Sequence, residues 1–332
     1  MKTKMSGDHF KPCPEISGRA IGVGVTPLCA RSVKSKFLSV LALALACAAG
    51  PLASSGAAAG VTILNGVNPG SSTAQAHALN NAGVVVGEST TSNPGRARFA
   101  ATWTDGALSM LPGLPGAPAV GDRPLGSTQG DAAFGINKHG VSVGLAQWPV
   151  PGGNFNARAV RWTHGVPTEL AALPGSTLSG AQSINNDGEM AGFSGDGIDF
   201  QAVRWSSAGA IQTLDLLPTH TTSYASDINA SGRVVGYSGL ESDGTVEERL
   251  PVFWDGTRVS NLPLPPGFNQ GQAVGLHKND IIVGQAAAYD ANIGGNTGVR
   301  AVLWAELRFQ PDLLALLPGS SASTAGKVNQ SA

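Results

Sequence analysis

Cysteine is almost missing from this chain. Cys13, Cys29 and Cys47 all lie in the first 50 residues, so nothing beyond them can form a disulfide or supply a thiol nucleophile. Charge is sparse as well, at 13% of residues, and aromatic rings make up 6%. Beyond residue 60 no apolar run approaches the roughly 20 residues that a membrane-spanning helix needs. Familiar catalytic signatures are also absent: no G-x-S-x-G, H-E-x-x-H, P-loop or dinucleotide fingerprint. No carboxylate recurs at one register to nominate a catalytic pair. A non-enzymatic protein is therefore the leading expectation.

Glycine and proline are abundant, at 45 and 21 of 332 residues. That fits many short strands joined by turns and argues against a helical protein. The start of the chain is different: Arg31, Lys34 and Lys36 precede the apolar run Phe37–Ala46, and small residues end in Ala57-Ala58-Ala59. This is the pattern of a secretory signal peptide, with cleavage expected near Ala59. Residues 1–59 form the leader, and residues 1–30 are read as the product of a start codon set too far upstream. Cys47 follows Ala44-Leu45-Ala46, a poor match to a lipoprotein signal, which prefers Leu three before its cysteine and a small residue two before it. Of 21 basic and 22 acidic residues, seven and two lie within residues 1–60, which leaves 14 against 20 and a net charge of −6. A mildly acidic exported domain, 60–332, is not expected to bind nucleic acid or an anionic membrane surface.

The body of the chain repeats itself five times. Asn80-Asn81-Ala82-Gly83 precedes Val84-Val85-Val86-Gly87, and related boxes begin at Asn137, Asn185 and Asn229. A fifth, from His277 to Gly284, loses the leading Asn and the first Gly. A second box ends in Trp103, Trp162, Trp205, Trp254 and Trp304, spaced 59, 43, 49 and 50 apart. A third is Leu-Pro, as at Leu173-Pro174-Gly175. Each unit therefore reads as four short strands. Asn opens a tight turn, the apolar run forms the second strand, Trp marks the third, and Leu-Pro ends the fourth, because proline cannot donate to a ladder. Tandem four-stranded repeats of about 50 residues predict an all-β fold, a β-propeller of five or six blades. Val61–Leu64 resembles a fourth strand and Ala325–Asn329 a first strand. Two readings of these ends stand together: a ring closed with five blades, or a chain truncated at Ala332. The regular Trp placement assigns those five residues, with Asn80, Asn137, Asn185 and Asn229, to the repeat architecture.

These boxes resemble the HAF-repeat family of bacterial extracellular proteins over residues 61–329. The His that names that family, four before the Trp, is here Phe99, Arg158, Gln201, Leu250 and Arg300. The resemblance implies an exported repeat protein and carries no defined activity.

Function is expected on the connections that differ between units: Glu88–Arg98, Leu145–Arg158, Phe193–Gln201, Tyr237–Leu250 and Gln285–Arg300, with the long Pro112–Asp131 connection. Their aromatics, Trp148, Phe155 and Tyr289, are ligand-stacking candidates, and covering a blade edge is the plainer use of Trp148. Their acids, Asp196, Asp199 and Asp243, are candidate ligand contacts. Calcium is the one cofactor they leave open, although Gly195–Asp199 lacks the calcium-loop pattern. The five histidines beyond the leader show no ligand spacing, so no metal site is expected. The expected role is binding or scaffolding for a glycan or protein of the envelope or exterior, by a monomer in the periplasm or medium. The alternative is a carbohydrate-active propeller enzyme, a glycoside hydrolase or lyase using acidic loop residues.

Overall fold

The structure is a computed structural model that describes residues 62–66, 73–90, 98–116, 130–149, 155–242, 245–290, 295–305 and 310–328. The side chains of 148, 149, 155, 242 and 245–247 fall outside that description. So do the leader 1–59 and Asp243.

Twenty strands and no helix occur among the described residues. They form five four-stranded antiparallel units in chain order. The first holds β1 (Thr73–Leu79), β2 (Val85–Thr90), β3 (Arg98–Thr104) and β4 (Ala107–Met110). The second holds β5 (Ala132–Ile136), β6 (Ser142–Pro149), β7 (Phe155–Thr163) and β8 (Val166–Glu169). The third holds β9 (Leu178–Ile184), β10 (Met190–Gly195), β11 (Phe200–Trp205) and β12 (Ile211–Thr213). The fourth holds β13 (Thr222–Ile228), β14 (Val234–Ser242), β15 (Thr245–Asp255) and β16 (Arg258–Asn261). The fifth holds β17 (Gln270–Leu276), β18 (Ile282–Asp290), β19 (Gly295–Ala305) and β20 (Gln310–Leu313). One parallel bridge, Ala157 to Leu178, joins the second and third sheets.

The expected irregular connections are corrected by these lengths. Tyr237 pairs with Pro251 and Leu240 with Glu248, so Tyr237–Leu250 is mostly hairpin. Gln285–Arg300 and Leu145–Arg158 behave alike. The backbone groups beyond the sheet body still need partners, and each strand finds them on its neighbour. Between β10 and β11 the connection shrinks to Asp196–Asp199.

The Asn box builds one turn four times over. In each copy the Asn Oδ1 accepts from the backbone N–H groups two and four residues on, at 2.9–3.1 Å. The amide then reaches sideways. Asn80 Nδ2 donates to the Asn137 carbonyl, Asn137 to Asn185, Asn185 to Asn229 and Asn229 to His277, at 3.0–3.3 Å. One residue type thus closes its own turn and ties its unit to the next. His277 keeps part of the arrangement: its Nδ1 accepts the Asn279 N–H at 3.2 Å. Its turn ends in Asp280 at φ 60° where the other four have glycine. The Asp280 carboxylate is occupied by Arg233 and Asn229.

The closing Gly of each apolar run answers a second need. A methyl on Gly87, Gly144, Gly192, Gly236 or Gly284 would lie 1.9–2.1 Å from a first-strand carbonyl oxygen. Each faces a point where the register slips by one residue, a β-bulge in the first strand.

The core lies between units. Val86, Ala100, Ala133, Ala146, Val160 and Trp162 join the first two, and similar clusters follow around Trp205, Trp254 and Trp304. All five repeat-box Trp side chains are buried. Each indole N–H donates to the preceding unit: Trp162 to Pro112, Trp205 to Ala171, Trp254 to Asp215 and Trp304 to Pro263, at 2.7–2.8 Å. Those carbonyls all lie two residues past a fourth strand. Trp103 finds the same bond, 2.9 Å, at Asn65. Residues 62–66 therefore hold the place of a fourth-strand exit. At the other end, Ser323 Oγ accepts the Ala301 N–H at 3.0 Å, as Ser179 accepts from Ala159 and Ser223 from Ala202. The segment around Ser323 holds the place of a first strand.

Candidate functional site

The bulges decide which side chains are displayed. In every first strand one residue is skipped by the ladder: His77, Phe134, Gln182, Ser226 and Val274. A bulge re-aims its extra residue. All five line one cavity of about 320 Å³, together with Tyr224, Tyr237, Gln272 and Lys327. The volume sits at the lower end for small-molecule sites. The backbone device is the same in each unit, and the side chains it presents are all different.

One wall is aromatic. Phe193 stacks on Tyr224 (4.8 Å between centroids, 18°), and Tyr224 stacks on Tyr237 (5.7 Å, 3°). The Arg249 guanidinium lies 4.3 Å from the Tyr237 ring centroid, within cation–π reach. The ring faces are thereby engaged with one another. Burial pushes the Tyr224 phenol well above its usual range, with Tyr237 adding to the shift. Burial also raises Tyr237, against the pull of Arg249. Both hydroxyls stay protonated at neutral pH, able to donate and accept.

The charged groups nearby are mutually compensated. His77 Nε2 lies 3.7 Å from Glu88 Oε2, and Arg98 lies 3.2 Å from the same carboxylate. Burial alone would raise Glu88, but the neighbouring His77 and the Arg98 guanidinium hold it below the ordinary carboxylate value. Lys327 Nζ sits 3.3 Å from Asp227 Oδ1. Asp227 also accepts from Ser183 Oγ and from the Leu276 N–H. Gly275 lets the main chain around Lys327 pass close by: a methyl there would lie 3.0 Å from the Gly326 carbonyl oxygen and 3.1 Å from Lys327 Cα.

No family model matches this chain, and no curated protein does. Several solved structures are similar in fold. A puromycin hydrolase aligns with a TM-score of 0.51 at 14% identity, over 75% of this chain and 39% of that one. A Mycobacterium tuberculosis puromycin-hydrolyzing peptidase gives 0.44 at 13%, over 77% and 41%. TolB from Acinetobacter baumannii gives 0.39 at 13%, over 70% and 51%. This chain spans about two fifths of the first two proteins and half of the third. The likeness is one of fold alone: a β-propeller-like array of four-stranded sheets.

Within that array Asp196, Asp199 and Tyr289 are not among the residues that line the cavity, while Asp243 and the side chains of Trp148 and Phe155 lie outside the described residues. The backbone of Trp148 pairs with that of Asn156, and Phe155 with Pro149, beside the connection of the β6–β7 hairpin. Tyr289 pairs with Asn296, and Asn269 binds both its N–H and its carbonyl, at 2.8 and 2.9 Å. Asp196 closes its own turn by accepting the Ile198 and Asp199 N–H groups, which hold its carboxyl below the usual range. Asp199 is exposed in the same turn. No group of three or more His, Cys, Asp or Glu is placed to hold a metal among the described residues. Sequence reasoning passed over the cavity residues, although a signal was present. Four positions before each turn-opening residue the chain has Ala without exception: Ala76, Ala133, Ala181, Ala225 and Ala273. The next residue differs every time, and it is the bulged one.

A second constellation resembles a nucleophile relay. His220 Nδ1 lies 2.9 Å from Ser238 Oγ, and its Nε2 lies 3.4 Å from Glu248. Ser238 is fully buried and accepts the Leu217 N–H at 3.3 Å. The third unit has Ser194 in this place, accepting from Leu173 and donating to Ser176. The pair fastens the Leu-Pro turn to the second strand and offers no reachable nucleophile.

Proposed function

We propose that this chain is an exported, non-catalytic β-propeller binding module, of the kind its HAF-like repeat boxes suggest, with its units arranged around the cavity. The ligand is a small molecule or terminal group from the envelope or exterior, held at the bulged residues. The observation that carries this reading is the contrast between backbone and side chain at one register. Five units repeat the bulge and its facing Gly, while His77, Phe134, Gln182, Ser226 and Val274 differ in chemistry. Residues serving the architecture recur, and those free of it are available for recognition. The alternative enzymatic reading draws less support, since the Asp196 carboxylate is engaged in its own turn.

The test is a thermal-shift screen of the full chain, recovered from the exported fraction, against small metabolites and envelope glycan fragments. Ligands that raise the melting temperature of wild type should lose that effect in cavity-filling Ser226→Trp and Val274→Phe. Equal shifts in wild type and both variants would remove the cavity from the argument. Release of reducing ends from a polysaccharide, abolished by Asp243→Asn, would favour the enzyme.

A further inference from the structure

We infer that the cavity is built for a compact, neutral, hydroxyl-rich ligand of monosaccharide to disaccharide size. This rests on the binding reading above and names the ligand class. Four groups at the cavity carry it: the Gln182 amide, the Ser226 hydroxyl and the Tyr224 and Tyr237 phenols. Each can donate and accept, and none is hydrogen-bonded through its side chain among the described residues. A sugar hydroxyl has the same dual character, so vicinal hydroxyls can satisfy such a set without leaving a buried donor or acceptor unpaired.

Charge points the same way. A carboxylate or phosphate ligand would want a cation free to meet it. Lys327 is matched by Asp227 and Arg98 by Glu88, and His77 faces that same Glu88. A cationic ligand would want a free carboxylate, and none lines the cavity among the described residues. Recruiting either ion would mean breaking a pair whose other member is largely buried, which is costly. Apolar Phe134 and Val274 offer surface to ring C–H groups. The stacked tyrosines present a wall already held in place, so little ordering is lost on binding.

Saturation-transfer NMR and calorimetry on the full chain would use neutral monosaccharides and disaccharides alongside their uronic acids and amino sugars. A neutral sugar should bind, its uronic acid should bind about tenfold more weakly or worse, and Gln182→Leu or Tyr224→Phe should weaken the neutral sugar by about tenfold. Gln182→Glu checks the same position while keeping its size, and each variant is first shown to melt as wild type does. A uronic acid that binds more tightly and is lost in Lys327→Ala would overturn the ligand class while leaving the cavity as the site. Neutral sugar bound equally by wild type and every variant would overturn the cavity itself. A panel with no binder would overturn the sugar inference alone, since the metabolite screen above tests the cavity independently.

Discussion

The side-chain amide of Asn185 donates to the main-chain carbonyl of Asn229 at 3.0 Å, while its Oδ1 accepts the Asp187 and Glu189 N–H groups. The same relationship links Asn80 to Asn137, Asn137 to Asn185 and Asn229 to His277. These buried amides serve turn formation and the joining of units at once. Asn185→Ala should cost about 2–4 kcal/mol, because three backbone groups lose partners together. Asn185→Asp keeps the acceptor, loses the donor, and sets a carboxylate against the Asn229 carbonyl and Glu189, so it should also destabilise. Urea denaturation of the three proteins would check the order.

His277 makes the fifth turn pH-sensitive. Burial lowers its pKa from the ordinary 6.5, and the adjacent Lys278 lowers it further. Protonation would also remove the Nδ1 lone pair that accepts the Asn279 N–H. The unfolded chain binds this proton more readily than the folded one. The stability from His277 is therefore complete above about pH 6.5 and declines as pH falls from there toward the folded-state pKa. His277→Asn, the residue of the other four turns, should flatten the stability difference between pH 7.5 and pH 5. An unchanged slope in the variant would remove His277 as its source.

Gly236 faces the bulge at Ser226. A methyl on it would lie 1.9 Å from the Tyr224 carbonyl oxygen, and that oxygen belongs to a paired strand that cannot move freely. Gly236→Ala should destabilise by on the order of 3 kcal/mol and disturb the Tyr224–Tyr237 stack, visible in near-ultraviolet circular dichroism. A variant with wild-type stability and spectrum would mean that the bulge relaxes at little cost.

Thr219 sits at φ 70° in the turn where Gly175, Gly267 and Gly319 have φ 81–83°. It is exposed, and a β-branched residue is strained there. Thr219→Gly should raise stability by about 0.5–1 kcal/mol, strain relief outweighing the added freedom of the unfolded chain. A lower melting temperature would point to a contact made by the threonine.

Turns were the most legible part of the sequence. Asn, Gly and Pro act through local geometry, so the Asn80, Asn137, Asn185 and Asn229 turns and the Leu-Pro stops appear as spacing along the chain. The buried Trp of each third strand is legible for a related reason, since a large apolar residue recurring with the repeat needs a recurring place to be buried. The connections read less well. Charged stretches such as Glu247-Glu248-Arg249 look like loop, yet backbone pairing carries β14 and β15 through them.

By itself the sequence determined the unit: four strands, their turn residues, an apolar face and a Trp, each specified within about 50 residues by local chemistry. Only the tertiary structure decided which side chains meet. The Asn-to-carbonyl chain and the bond from each Trp to the preceding unit join residues 34–57 positions apart, and the cavity gathers residues from His77 through to Lys327. The site emerged at that level because a bulge is a relationship between two strands. Gln182 is unremarkable in the string of residues and becomes a cavity residue only when Gly192 lets the first strand slip by one.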